Sequence, residues 1–163
     1  MRLTAFSDYA LRVLMYARAN DDRLVTIEET SRTYGISRAH LMKVVNILTR
    51  SGYIKAVRGR SGGFTLAIAA ENINLGAVVR ATESDFALVE CFAAGNKCVI
   101  TSLCGLPNVL NEALRAFVGV LDSYTLADIP LAKHDFSVPH GPVQSRRGPE
   151  LPVNHDAQPA PTT

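Results

Sequence analysis

Between Thr30 and Ala70 the chain has no aspartate or glutamate. Nowhere in it is there an apolar run near the roughly 20 residues that a membrane-spanning helix requires. It has three cysteines, which cannot all pair, and no Cys-x-x-Cys motif. The missing apolar run excludes a membrane helix. The opening MRLTAFSDYA turns polar within a few residues, unlike a signal peptide, so a cytoplasmic protein with no membrane partner is expected. Clustered cysteines in an unexported chain are ligands or redox groups more readily than a disulfide framework. No nucleotide loop, paired-carboxylate motif or nucleophile–base motif stands out, and none of the histidines is placed for catalysis, so no enzyme is expected. A chain of 163 residues, nearly half of them hydrophobic, has room for one packed domain with appendages.

The acid-free stretch is also basic. It carries Arg32, Arg38, Lys43, Arg50, Lys55, Arg58 and Arg60, although the net charge of the chain is only +2. Such a block is an electrostatic footprint for a polyanion, or else a solvated basic face. Its sequence favours the first. Thr26-Ile27-Glu28-Glu29 is a capping box that opens a short helix ending at Tyr34-Gly35. Ser37 then caps a helix with Leu41, Val44, Val45 and Leu48 inward and Ala39, Lys43, Asn46 and Arg50 outward, closed by Gly52. This is the helix-turn-helix pattern. YIKAV (53–57) and FTLAI (64–68) read as two strands around RGRSGG (58–63), a wing placed to meet the sugar-phosphate backbone or the minor groove. The expected contacts with double-stranded operator DNA are Ser37, Arg38, His40, Lys43 and Arg50 on the helix, and Arg58, Arg60, Gly62 and Gly63 in the wing.

The flanks complete a mainly α fold with a small β-wing. A first amphipathic helix follows Ser7 and Asp8, with Ala10, Leu11, Val13, Leu14 and Ala17 at helical spacing. Another spans Ile73 to Glu83. Pro107 opens a long helix on which Leu106, Leu110, Ala113, Phe117 and Leu121 recur by four and three until the last step. Val109, Leu114 and Val118 widen this stripe, which is close to a coiled-coil seam and more apolar than one small domain covers. The expected organisation is a winged helix-turn-helix domain over 1–83, a cysteine loop over 84–105, a dimerisation helix over 106–130 and a disordered tail over 131–163. Six of the eight prolines lie in that tail, as do His134, His140 and His155.

Cys91, Cys98 and Cys104 have six and five residues between them. Thiolates are soft ligands and suit iron–sulfur clusters or zinc. Zinc sites usually pair cysteines two to four residues apart, whereas these wider gaps suit a loop wrapped around a larger object. Buried or redox-active thiols are the third reading. A thiol-redox or zinc protein without a DNA-binding role, or a plain dimeric scaffold, leaves the basic block unexplained.

LTAFSDYALRVLMY, YGISRAHLMKVVNILTRSGYI, AVRGRSGGFTLA, the three cysteines and LDSYTLADI occur in an order and spacing that resemble a family of winged-helix transcription factors carrying iron–sulfur clusters, in particular its nitric-oxide-sensing repressors. The likeness covers residues 1 to about 130. It implies a homodimeric repressor that loses DNA affinity when nitric oxide attacks its cluster. It implies Cys91, Cys98 and Cys104 as ligands of a cluster, 4Fe–4S in preference to 2Fe–2S, with Asp8 from the other subunit as the fourth. Glu90 and Asp85 are the next candidates for that place. A cluster-assembly regulator of the family has a ligating histidine where this chain has Pro107. An iron-responsive rhizobial member shares features with RATESDFALVEC (80–91), which keeps iron or redox sensing as the alternative.

Overall fold

The structure, a computed structural model, describes residues 2–93 and 95–136. In chain order these form α1 (Ala5–Ala19), α2 (Ile27–Tyr34), α3 (Arg38–Arg50), β1 (Ile54–Val57), β2 (Gly63–Leu66), α4 (Leu75–Thr82) and α5 (Leu106–Asp122). Short 3-10 turns lie at Ala70–Asn72, Glu90–Phe92, Leu126–Asp128 and Lys133–Phe136. The fold is mainly α with a small antiparallel hairpin, β1 against β2, with Ile54 opposite Leu66 and Val57 opposite Gly63.

Local chemistry sets the helix starts. The hydroxyls of Thr26 and Ser37 accept from the backbone N–H of Glu29 and His40, and the Asn74 amide oxygen accepts from Ala77. One start differs from the sequence reading. The cap of α1 is Thr4, three residues before Ser7. Ser7 is instead buried, 2.8 Å from the Thr82 hydroxyl, which ties the first helix to α4.

The apolar faces close on one core. Ala10, Val13, Leu14 and Ala17 of α1 meet Leu41, Val44 and Leu48 of α3, with Ile54, Phe64, Ile73 and Val78 completing the packing. Val25 adds an isolated antiparallel bridge to Phe64, exchanging hydrogen bonds of 2.9 and 2.8 Å, so the wing is held to the α1–α2 connection.

The expected helix over 106–130 is shorter than its apolar pattern. It ends at Asp122, and residues 123–129 turn back onto the domain. Leu126 is fully buried, its N–H donates to Ile73, and Leu75 N–H donates to Tyr124. Asp122 accepts two hydrogen bonds from Arg80, at 2.7 and 3.1 Å. Gly76 makes this docking fit, because a Cβ there would run into the Asp122 carboxylate. The expected tail also begins later than residue 131. Lys133–Phe136 form a 3-10 turn, and Phe136 lays its ring edge-on against Tyr16 and Tyr34, with centroids 5.2 and 6.0 Å away. The rest of the expected tail, residues 137–163 with His140 and His155, lies outside the described residues.

Candidate nucleic-acid interface and cysteine loop

Burial of Leu41, Val44, Val45 and Leu48 turns the opposite side of α3 to solvent. Arg38, His40, Lys43 and Arg50 are exposed there, and Arg58 and Arg60 are exposed at the wing. Among the described residues Lys43, Arg50, Arg58 and Arg60 have no acidic partner. Arg38 is not free in that way. It pairs with Glu28 at 3.0 Å, and Arg32 reaches the same carboxylate at 3.5 Å. The acid-free stretch begins just after Glu29, so a count along the chain misses a carboxylate that folding sets against the start of α3.

Four further expected contacts have structural duties. Ser37 is the cap of α3. His40 faces the ring of Tyr9 on α1, with centroids 6.2 Å apart, at one side of the helix. Gly62 and Gly63 permit close backbone approach: a Cβ on Gly62 would meet the Val57 carbonyl, and one on Gly63 the Val25 carbonyl. They shape the wing whatever else they touch. A groove runs between the start of α2, α3 and the wing, lined by Glu28, Arg38, Met42, Asn46 and Arg58 among others. A second, on the other side of α3, is lined by Lys43, Asn46, Arg50 and Ser84 among others. Asn46 belongs to both. The outward pattern already placed Asn46 on this face. The signal missed was Met42, exposed one turn before it.

Cys91 lies in the Glu90–Phe92 turn and is half-buried, as is Cys104, while Cys98 is exposed; all three thiols are free. Local bonds hold the loop. Asn96 Oδ1 accepts from the Thr101 hydroxyl at 2.8 Å and from Cys98 N–H at 3.3 Å, and Cys104 N–H donates to Ile100 at 2.9 Å. Val99 and Leu103, between the last two cysteines, are 95% and 90% exposed, so the loop has no apolar anchor at that end. Among the described residues no three Cys, His, Asp or Glu side chains converge to hold a metal. The structure therefore places the three expected sulfur ligands on one loop without bringing them together. The donor set itself is three soft, unpaired thiols on one segment, which fits three of the four positions of a cluster.

Asp8 sits in the first turn of α1 and is claimed by its own helix. Arg12 grips it with two contacts of 2.9 Å. The Arg12 guanidinium in turn lies 5.8 Å from the Tyr34 ring centroid, and Tyr34 donates to the Arg12 carbonyl. Burial pushes the Tyr34 phenol well above its usual range, with Arg12 opposing, so this ring stays neutral.

A family profile described as "Rrf2: Iron-dependent Transcriptional regulator" matches residues 3–130. The chain belongs to the Rrf2 family. It is 50% identical over 137 residues to the HTH-type transcriptional regulator NsrR of Bacillus subtilis (strain 168), covering 83% of this chain and 94% of that one. It is 46% identical over 134 residues to protein aau3 of Rhizobium meliloti (strain 1021), covering 82% and 87%. A transcriptional regulator from Listeria innocua shares the fold, with a TM-score of 0.63 at 24% identity over 79% of this chain and 85% of that one. The Rrf2 match takes in the helix-turn-helix, the wing, the cysteine loop, α5 and the returning segment, and stops short of Phe136. The chain is thus a transcriptional regulator with a winged helix-turn-helix fold, not an enzyme. Among the described residues no helix is long and apolar enough to cross a membrane.

Proposed function

We infer that this chain is a cytoplasmic, dimeric, DNA-binding repressor whose operator affinity is controlled by an iron–sulfur cluster that reacts with nitric oxide. The observation that carries the reading is where the free thiols lie: on the one loop joining α4 to α5, two elements that are also tied directly to each other through Arg80 and Asp122. Cys91, Cys98 and Cys104 would hold the cluster, 4Fe–4S in preference to 2Fe–2S. When bound, the cluster supplies iron that takes up nitric oxide, with the thiolates as its protein ligands. Asp8 of a second copy is the fourth donor in this reading, exchanging its grip on Arg12 for iron. Glu90 and Asp85 follow as candidates, although they already accept from Lys97 N–H and Ala87 N–H.

The outward side of α5 supports dimerisation. The helix has no fully buried residue, and Leu106 and Val109 are more than half exposed. Two copies joined there would present two α3 helices to successive major grooves, about 34 Å apart. Lys43, Arg50, Arg58 and Arg60 would neutralise phosphates on either side. Any rearrangement of the cysteine loop pulls on the start of α5, whose far end is pinned at Gly76 and Arg80, and so alters the spacing of the two reading helices. A second reading, sensing of iron or an oxidant by the same site, is supported by the iron-dependent description of the family.

Iron and acid-labile sulfide measured after anaerobic purification, with operator binding before and after nitric oxide, test the proposal. Expected are stoichiometric iron and sulfide and binding that nitric oxide abolishes. Binding that responds to iron supply but not to nitric oxide selects the second reading. Asp8→Ala should change the visible spectrum and Asp8→Cys should give an all-thiolate site; a wild-type spectrum in Asp8→Ala returns Asp8 to its helix-terminal role.

A further inference from the structure

We propose that Met42 and Asn46 form a base-reading pair selective for A·T in the operator half-site, Asn46 addressing adenine and Met42 the thymine methyl. This rests on the DNA-binding reading above and adds what the interface reads. The Asn46 amide is exposed and, among the described residues, has no hydrogen-bond partner. It lines the grooves on both sides of α3, so it lies at the middle of the outer face. Arg38 and Arg58 stand toward the wing, Lys43 and Arg50 on the other side. Cations on both flanks are drawn to the two phosphate walls of a major groove, which leaves the neutral centre facing base edges. A carboxamide there pairs bidentately with adenine N6 and N7, the one base edge offering an adjacent donor and acceptor in that order.

Met42 supplies the second half. It is 52% exposed, while Leu41, Val44, Val45 and Leu48 of the same helix are buried. One exposed apolar side chain is ordinary on a surface. This one lies four residues before Asn46, on the same side of the helix, in the groove toward the wing. Four residues cover about 6 Å of helix, under two base steps of about 3.4 Å. The two side chains therefore address one base pair or two neighbours. The methyl of thymine is the apolar group a major groove offers, and it lies across the pair from the adenine edge that Asn46 reads.

The test uses the full chain with its cluster, purified without oxygen. Sites are selected from random duplex DNA, and the best site is then titrated in three forms: unchanged, with each central A·T pair changed to G·C, and with deoxyuridine replacing thymine to remove only the methyl. The wild type should select A·T at one or two central positions per half-site and lose affinity on both changes. Asn46→Ala should lose about tenfold or more on the preferred site, retain its non-specific binding and salt dependence, and no longer distinguish A·T from G·C. Met42→Ala should be indifferent to loss of the methyl. Variants that keep the wild-type base preference and methyl dependence overturn the pair while leaving DNA binding intact. A wild type that enriches no sequence and binds no duplex overturns both readings.

Discussion

At the scale of single residues, a carboxylate outside the basic stretch conditions it. Glu28 holds Arg38 in an exposed pair, and such pairs contribute about 0–1 kcal/mol, little enough for a phosphate or base to displace. Glu28→Gln is therefore expected to tighten operator binding a few-fold by releasing Arg38 and removing a repelling charge. It should also lower stability slightly, since an acid in the first turn of α2 contributes about 0.3–1 kcal/mol. Operator titration together with urea unfolding checks this, and affinity and stability should move in opposite directions. Arg60 has no such partner. Arg60→Ala should weaken binding to all duplexes alike and reduce the salt slope by about one, read by titration at several salt concentrations. Of the residues expected to touch DNA, the exposure of the charged ones was legible because charge and helical period are local. The duties of Gly62 and Gly63 were harder to see. Capping by Ser37 was legible, but the need for glycine at 62 and 63 depends on carbonyls of Val57 and Val25 that only folding brings near.

At the scale of elements, the junction of α4 and α5 is the sensitive contact. Gly76→Ala should push the end of α5 off α4, at a cost of about 1–3 kcal/mol as for other overpacked sites, measured by urea unfolding followed by circular dichroism. The same junction should weaken in acid. Arg80 holds the Asp122 carboxyl below its ordinary range, and the Thr125 N–H and hydroxyl do the same for Asp128. Both folded values are lowered, so their stabilisation is complete above the unfolded value of about 3.9 and is lost as pH falls through the folded ones. The urea midpoint of the wild type should thus hold steady above about pH 4 and fall as the pH drops below it. The Asp122→Asn, Asp128→Asn double variant should show a shallower fall. An equal fall in both would place the acid-sensitive contacts elsewhere. The length of α5 was misjudged from sequence because its apolar pattern continues past Asp122. Leu126 continues the run of hydrophobic residues but not the helix, and its side chain fills the core instead.

At the scale of the whole molecule, residues 123–136 run back from α5 to the DNA-reading domain. The Arg18 guanidinium donates to the carbonyls of Leu126 and Ile129, Lys133 meets Asp22 at 3.3 Å, and Phe136 closes on Tyr16 and Tyr34. Cutting after residue 136 should leave stability and operator binding unchanged. Cutting after 130, or Phe136→Ala, should lower stability by about 1–3 kcal/mol, two edge-on ring pairs at about 0.5–1.5 each. Urea unfolding of the two truncations checks this. Phe117→Glu and Leu110→Glu should yield monomers that bind DNA poorly, because a charge buried in an apolar seam is strongly unfavourable. Sedimentation decides, and unchanged dimers would move the interface away from α5.

By itself the sequence determined the features governed by neighbours a few residues apart: the caps at Thr26 and Ser37, the outward basic side of α3, the wing, and the grouping of three thiols on one segment. A hydroxyl three residues before a free N–H, or a charge on every third or fourth residue, acts over one helical turn and needs no fold to be seen. Tertiary structure alone decided that Ser7 is buried against Thr82, that Glu28 occupies Arg38, that Gly76 receives Asp122, and that Phe136 packs against the core rather than lying in a tail. Each of these joins groups that the chain must fold to bring together, and hydrogen bonds, ion pairs and ring contacts act only at contact distance, which spacing along the sequence does not reveal.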